Sequence, residues 1–129
     1  MVLPRPELRG CLMQDLLTEI EGKFSDAYAL LDDLKESGCQ YAANERDYRV
    51  ALRERKLHYR AQGMAVTLID DVAKGDEDIA DLRCKRDCSE AVYKACQEAI
   101  NLDKLRIRIL DKQADREWSS GGQGGYGYE

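Results

Sequence analysis

Residues 13–34 read MQDLLTEIEGKFSDAYALLDDL, and the spacing of the apolar side chains in this stretch decides the fold. The apolar positions recur in alternating steps of four and three, which is the a/d pattern of a coiled-coil seam. Such a seam predicts a helix that another helix must cover. Its members are Met13, Leu17, Ile20, Phe24, Ala27, Leu31 and Leu34.

The rest of the chain is also predicted to be helical. Pro4 and Pro6 are its only prolines, so no strong helix breaker follows them. Glycines at 38, 63 and 75 interrupt the apolar periodicity, as is typical of helix C-termini. We predict helices over about 7–37, 41–62, 67–73 and 77–117, with a turn after Gly38 and with Thr67 and Asp76 as N-caps. The glycine-rich segment 119–129 is predicted to be disordered.

These segments predict an all-α fold, either an elongated helical bundle or an antiparallel helical hairpin, with coiled-coil character and one long C-terminal helix. A chain of 129 residues is near the usual size of one domain, so residues 1–118 are predicted to form a single helical domain.

A stripe of small side chains from Ala80 to Ala99 is expected to receive the apolar edge of the first helix. A homodimer is also expected, because the long last helix has more apolar surface than the shorter segments can cover. The residues assigned to helix packing or a dimer interface are Leu17, Ile20, Phe24, Leu31, Leu34, Ala91, Ala95 and Ala99.

Two charged surfaces are candidate partner-binding sites. The first is a basic ridge on the second predicted helix, Arg46, Arg49, Arg53, Lys56 and Arg60, with Tyr48 and Tyr59 beside it. The second is an acidic face on the first helix, formed by Asp15, Glu19, Asp26, Asp32 and Asp33. Arginines pair with phosphates and tyrosines stack on bases, but the two oppositely charged helices could equally lie against each other. The net charge of −5 favours a protein partner, with nucleic acid as the alternative.

No group of residues has the spacing of a catalytic or metal site. Cys84 and Cys88 stand one helical turn apart, with Cys96 further along, but their alanine neighbours indicate small packing side chains. His58 is the only histidine and has no nucleophile near it in sequence. We therefore predict a protein that is not an enzyme and that has no cofactor and no metal.

The location of the protein is predicted from what the sequence lacks. No apolar run approaches the roughly 18 residues that span a bilayer, and the start MVLPRPELRG has no signal-peptide pattern. An odd number of cysteines, five, indicates reduced thiols. The sequence therefore predicts a cytoplasmic protein with no membrane partner.

Residues 41–118 resemble a known group. The motifs RVALRERKLHYRAQG, GMAVTLIDDVAKG, RDCSEAVYKACQEAIN, KLR and REW follow one another as in small helical proteins encoded by phages and prophages of Gram-positive bacteria. The group has no assigned activity, so the resemblance transfers no site residues.

The resemblance implies a class of function, carried out in the cytoplasm of a bacterial host. Small acidic phage proteins without active sites commonly block a host protein, including CRISPR-type defence nucleases, or assist replication and assembly. The prediction is a non-enzymatic binding protein that acts through protein–protein contacts with a host or phage target, as an anti-CRISPR-like inhibitor of a defence complex. A nucleic-acid-associated accessory factor using the basic ridge, and a structural or assembly protein, are the alternatives.

Overall fold

The computed structural model describes residues 6–122, which form three α-helices and, within that range, no strand. Helix α1 is Pro6–Ala61, α2 is Val66–Gly75 and α3 is Glu77–Gly122. The predicted all-α fold with one long C-terminal helix is therefore confirmed.

The chain divides into two compact units. Unit 1 combines Met1–Leu31 with Glu98–Glu129, and unit 2 is Asp32–Gln97. Each long helix contributes one part to each unit. The assignment of 1–118 to a single domain stays a prediction.

The core of unit 1 is a small apolar cluster between α1 and α3. Leu16, Leu110 and Ala114 are buried there, with Met13 and Ile20 packed against them. At its edge the Arg106 guanidinium donates a hydrogen bond of 2.9 Å to the Glu19 carboxylate. Unit 1 is thus held by helix-to-helix apolar packing with an ion pair at the boundary.

The covered stripe of α1 differs from the predicted seam. Leu17, Phe24 and Leu31 are 40–47% exposed, whereas Leu16 is buried and Leu30 is half-buried. The prediction that another helix of the chain covers this seam is therefore wrong at every second position. The cause is that α1 is apolar on both sides of Ile20 and Ala27, and α3 covers the side that carries Leu16. A role of Leu17, Phe24 and Leu31 in a dimer stays a prediction.

The predicted turn after Gly38 is wrong, because α1 continues through it without interruption. A Cβ atom added at Gly38 would lie 3.2 Å from Cε2 of Tyr93. The ring of Tyr93 also stacks on that of Tyr41, with centroids 6.4 Å apart. Gly38 therefore lets α3 approach α1 closely and does not end a helix.

The predicted C-terminal glycine at Gly63 is confirmed. Gly63 has φ = 83°, in the left-handed region that suits glycine. Its N–H donates to the carbonyl of Arg60 at 3.1 Å, and the N–H of Met64 donates to that of Tyr59 at 3.1 Å. These two bonds are those of a Schellman motif, which satisfies the last carbonyls of α1.

Of the other predicted helix ends, the N-cap at Thr67 and the end of α3 need correction, and Asp76 occupies the predicted N-cap position. Helix α2 begins after Ala65 with no side-chain cap, so Thr67 is not its N-cap. The carbonyl of Asp76 accepts the N–H of Ala80 at 2.8 Å, as an N-cap residue does, although the Asp76 carboxylate binds α1. Helix α3 passes the predicted end and includes residues 119–122, since extending a long helix requires no new nucleation. The rest of the predicted disordered tail lies outside the described residues.

The expected packing on the small-residue stripe of α3 is also wrong within the chain. Ala91 and Ala95 are exposed and Ala99 is half-buried. In unit 2, α3 instead turns larger side chains inward, with Ile79 buried and Leu82 and Tyr93 half-buried. Larger apolar side chains remove more surface from water, so they decide which face of α3 is covered.

A buried polar layer lies between α1 and α3 in unit 2. Asn44 is 3% exposed, and its amide donates to the hydroxyl of Ser89. Its Oδ1 atom accepts from Gln40 at 3.0 Å, and the Ser89 hydroxyl donates to the carbonyl of Lys85 at 2.8 Å. A buried amide that must find its partner fixes the register of two paired helices.

The space beside two helical glycines provides a matched test. Nothing lies within 4 Å of a Cβ placed at Gly22. Gly22→Ala is therefore expected to raise the free energy of unfolding by about 0.5–1 kcal/mol, the usual difference between alanine and glycine within a helix. Gly38→Ala is expected to gain clearly less, because the new Cβ meets the Tyr93 ring. Urea unfolding of both variants measures the difference, and equal gains would contradict the close approach.

Candidate partner-binding site: a basic groove in unit 2

A groove with a volume of about 680 Å³ runs along unit 2 and is lined by all three helices. We call it the basic groove, because six of its ten lining residues are cations. Helix α1 contributes the most residues, and α2 and α3 supply the opposite wall. The lining residues are Glu45, Tyr48, Arg49, Leu52, Arg53, Lys56, Leu57, Lys74, Arg83 and Arg86.

Three carboxylates hold most of these cations in place. Glu45 accepts from Arg49 at 2.5 Å and from Arg86 at 3.2 Å. Asp70 accepts from Lys56 at 2.5 Å and from Lys74 at 2.9 Å. The third carboxylate, Asp87, pairs with Arg86 at 2.8 Å and with Arg83 at 3.9 Å.

The basic groove keeps a surplus of positive charge. Its six cations face only three paired carboxylates, which leaves three positive charges in excess. Arg53 is exposed and forms no ion pair with the described part of the chain. The groove therefore has unused capacity for an anionic partner.

Four of the paired groups have pKa values that their partners shift away from neutral pH. The hydrogen bond from Arg49, reinforced by the charge of Arg86, holds the pKa of Glu45 below its ordinary value. Hydrogen bonds from Lys56 and Lys74 do the same to the pKa of Asp70, and the pKa of Lys74 is raised by the Asp70 carboxylate. The hydrogen bond to Asp87 raises the pKa of Arg86. Glu45, Asp70, Lys74 and Arg86 therefore stay ionised at neutral pH.

The floor of the groove is apolar and includes one covered aromatic ring. Leu52 is half-buried and Leu57 is 53% exposed. Tyr48 is only 5% exposed, and the Arg86 guanidinium lies 4.7 Å from its ring centroid in a cation–π contact. The Tyr48 ring is thus occupied from within the chain and presents no open face to a ligand.

An ionic cluster connects the end of α1 to the junction between α2 and α3. We call it the junction cluster. Arg55 donates to Asp76 at 2.8 Å and to Asp78 at 2.5 Å, and the hydroxyl of Tyr59 donates to Asp76 at 2.6 Å. The Tyr59 bond, with the help of Arg55, holds the pKa of Asp76 below its ordinary value. The same carboxylate raises the pKa of Tyr59 and that of Arg55. This cluster positions the start of α3, and with it Arg83 and Arg86.

The structure brings together only part of the predicted basic ridge. Arg49, Arg53, Lys56 and Tyr48 line the basic groove. Arg60 lines a smaller groove of about 320 Å³, which shares Lys56 and Leu57 with the first.

Arg46 and Tyr59 lie apart from both grooves. Arg46 is exposed and pairs with its neighbour Asp47, and Tyr59 belongs to the junction cluster. The ring of Tyr48 has no open face, so it does not support the stacking role that was predicted for the two tyrosines.

The predicted acidic face is divided between the two units. In unit 1, Glu19 pairs with Arg106 and Asp26 with Lys23 at 3.6 Å, while Asp15 is exposed. In unit 2, Asp32 and Asp33 are both exposed. A role for these residues in binding stays a prediction.

Six of the ten residues that line the basic groove were not predicted as site residues from the sequence, namely Glu45, Leu52, Leu57, Lys74, Arg83 and Arg86. Lys74, Arg83 and Arg86 come from other helices than the ridge, and Glu45 on α1 is the counterion of Arg86. Arg83 and Arg86 are three residues apart on one helix, which places them on one face. That spacing is the only local signal for them, and it does not say which helix they face.

Two features are absent from the described part of the chain. Among its side chains, no three His, Cys, Asp or Glu residues are close enough to hold a metal ion. No helix within the described range is long and apolar enough to cross a membrane.

Comparisons with protein-family models, with curated proteins and with solved structures find no match for this chain.

The junction cluster predicts how stability depends on pH. Because the pKa of Asp76 is lower in the folded chain, its contribution is complete above the ordinary value of 3.8 and is lost as the pH falls below it. Asp76→Asn is expected to be less stable than the wild type at neutral pH, and the difference should shrink in acid. Thermal unfolding at several pH values measures it. Asp78→Asn keeps the Tyr59 bond and is the control, and a difference for Asp76→Asn that does not change with pH would contradict the assignment.

Proposed function

We propose that this protein is a non-enzymatic binding protein that acts through protein–protein contacts, and that the basic groove docks on an acidic amphipathic segment of its partner. The observation that carries the proposal is the arrangement of cations from three helices around an apolar floor. Charged rims around an apolar centre are typical of specific protein interfaces.

Both the charged and the apolar side chains of the groove match such a segment. Carboxylates of the partner would meet Arg53, Arg49 and Arg83, whose side chains are exposed. Apolar side chains of the partner would cover Leu52 and Leu57, which line the same groove. A volume of about 680 Å³ accommodates a short segment, since pockets that enclose ligands usually measure roughly 300–1,000 Å³.

Nucleic acid is the second candidate, because the same positive surplus attracts phosphates. Binding of single strands also relies on aromatic rings that stack on bases. The ring of Tyr48 is buried beneath Arg86, which favours a carboxylate-bearing protein over a base-stacking ligand.

A narrower form of the proposal concerns the biological role. The resemblance of residues 41–118 to small phage proteins supports an inhibitor of a host defence complex, acting in the cytoplasm of a bacterial host. A binding protein with a basic groove would inhibit by occupying an acidic surface that the complex needs. Expression in a Gram-positive host with an active CRISPR system tests this role, and undiminished plasmid interference would contradict it.

A charge-reversal experiment tests the groove itself. Arg53→Glu combined with Arg83→Glu reverses two exposed cations. Arg53 forms no ion pair with the described part of the chain, and Arg83 forms only the 3.9 Å pair with Asp87. Affinity purification from a Gram-positive host, read out by mass spectrometry, should retrieve an acidic partner with the wild type. We expect the double variant to bind that partner about tenfold more weakly or worse, because it places like charges at the interface.

The matched control reverses two cations outside the basic groove. Arg46→Glu with Lys35→Glu changes the net charge by the same amount, and both positions are exposed. This control should retain the partner. Equal loss in both variants would attribute binding to overall charge and contradict the groove. A gel shift with single-stranded and duplex DNA at low salt examines the second candidate, and tight binding there would favour nucleic acid over protein.

A further inference from the structure

The basic groove and the smaller groove beside it form one continuous channel in unit 2. Lys56 and Leu57 line both of them. On α1 the lining side chains extend from Glu45 in the basic groove to Arg60 in the smaller groove, a span of about 22 Å along the helix axis. We call the two grooves together the channel.

The opposite wall of the channel follows α1 over this whole length. At one end Arg86 of α3 pairs with Glu45 at 3.2 Å. Further along α1, Asp70 of α2 pairs with Lys56 at 2.5 Å, and Val66 at the start of α2 lines the other end. Helix α3 and then α2 form this wall, so the channel has room for a segment of several helical turns.

Three exposed side chains on the α1 wall are available to a partner. Arg53, Leu57 and Arg60 follow one another in steps of four and three, which places them on one face of α1. Both arginines are exposed, and neither forms an ion pair with the described part of the chain. The other cations of the channel already pair with carboxylates of unit 2. Carboxylates of a partner therefore gain most at Arg53 and Arg60.

The spacing of these two arginines matches that of carboxylates on a helix. Arg53 and Arg60 are seven residues apart, or about 10 Å along the axis of α1. Carboxylates seven residues apart on a second helix have the same separation, and they lie on one face because seven residues make two turns. A helix lying along the channel therefore reaches both arginines and brings an apolar side chain between them onto Leu57.

An extended segment fits the channel less well. In a strand, residues about 10 Å apart are three positions apart, and their side chains point to opposite faces. The walls of the channel are helices, so they offer no strand edge at which an extended backbone could form hydrogen bonds. A helix forms its backbone hydrogen bonds within itself. Spacing and backbone chemistry therefore both select a helix.

We propose that the segment bound in the channel is an acidic amphipathic α-helix of about four turns. Two of its carboxylates, seven residues apart, meet Arg53 and Arg60, and an apolar side chain between them covers Leu57. Because the acidic partner itself rests on the proposed function, what is added here is the conformation, the length and the charge spacing of the bound segment.

Synthetic peptides provide the first test. The helical probe is a 16-residue peptide in which glutamate, leucine and glutamate follow in steps of four and three on one face. The shifted probe has the same composition, but its second glutamate is moved by two positions and leaves that face. The helix-broken probe carries a proline at the centre of its outer face. Fluorescence anisotropy with the full chain at low salt measures binding.

We expect the helical probe to bind the wild type. The shifted probe should bind at least about threefold more weakly because it loses one ion pair. The helix-broken probe should bind about tenfold more weakly or worse because proline interrupts the helix. Equal binding of the shifted probe would overturn the charge spacing, and equal binding of the helix-broken probe would overturn the helical conformation. No binding of the helical probe would overturn the whole proposal.

The second test changes the end of the channel that lies outside the basic groove. Arg60→Glu should weaken binding of the helical probe about tenfold, because it places like charges at the contact. Of two probes in which one or the other glutamate is replaced by lysine, one should bind Arg60→Glu more tightly than the wild type. Absence of either effect would overturn the contact with Arg60. Arg60→Gln repeats the first measurement if Arg60→Glu loses helicity by circular dichroism.

The matched control is Arg46→Glu. Arg46 is an exposed arginine of the same helix that lies apart from both grooves and pairs with its neighbour Asp47. The control should bind the helical probe as the wild type does. A loss equal to that of Arg60→Glu would attribute binding to overall charge and overturn the proposal.

Failure of the proposed function would show in a different measurement. Affinity purification with the Arg53→Glu and Arg83→Glu double variant decides whether the basic groove binds an acidic partner. If that variant loses the partner but Arg60→Glu still binds the helical probe as the wild type does, the proposed function stands and the contact along the whole channel is overturned.

Discussion

The alternating steps of three and four between the covered side chains of α1 are the constraint on which the rest of the structure depends. The covered positions run from Met13 to Tyr48 without a break in this spacing, and they include polar residues such as Lys23, Ser37 and Asn44. A stripe of this kind occupies only a narrow part of the helix surface. The other faces of α1 are left for other contacts, and Arg49, Arg53 and Lys56 of the basic groove lie there.

The sequence predicted the fold where local rules are sufficient. Helical periodicity and the absence of proline after Pro6 indicated long helices, and the left-handed glycine at Gly63 ended α1 as expected. Two features depended on a distant partner. Leu16 and Leu17 are equally apolar, and only contact with α3 decides which is buried. Gly38 looks like a helix end in sequence, but its role is set by the ring of Tyr93.

The candidate site was predictable to the extent that it lies on one helix. The spacing of Arg49, Arg53 and Lys56 is sufficient to place them on one face of α1. The opposite wall, which carries Lys74, Arg83 and Arg86, depends on how the helices of unit 2 pack. No local sequence pattern contains that information. The environment of Tyr48 could not be predicted for the same reason, because an arginine of α3 covers the ring face that would stack on a base.

Carboxylates of the chain itself already act as counterions for most cations of the basic groove. Five of the six cations are already paired with Glu45, Asp70 or Asp87, so an incoming carboxylate would gain little there over the resident one, and Arg53 alone is open to it. Only a ligand that presents several carboxylates in the right spacing displaces several counterions together. If the groove binds an acidic partner as proposed, it would discriminate by valency and geometry, exchange ligands quickly, and release them when the salt concentration rises.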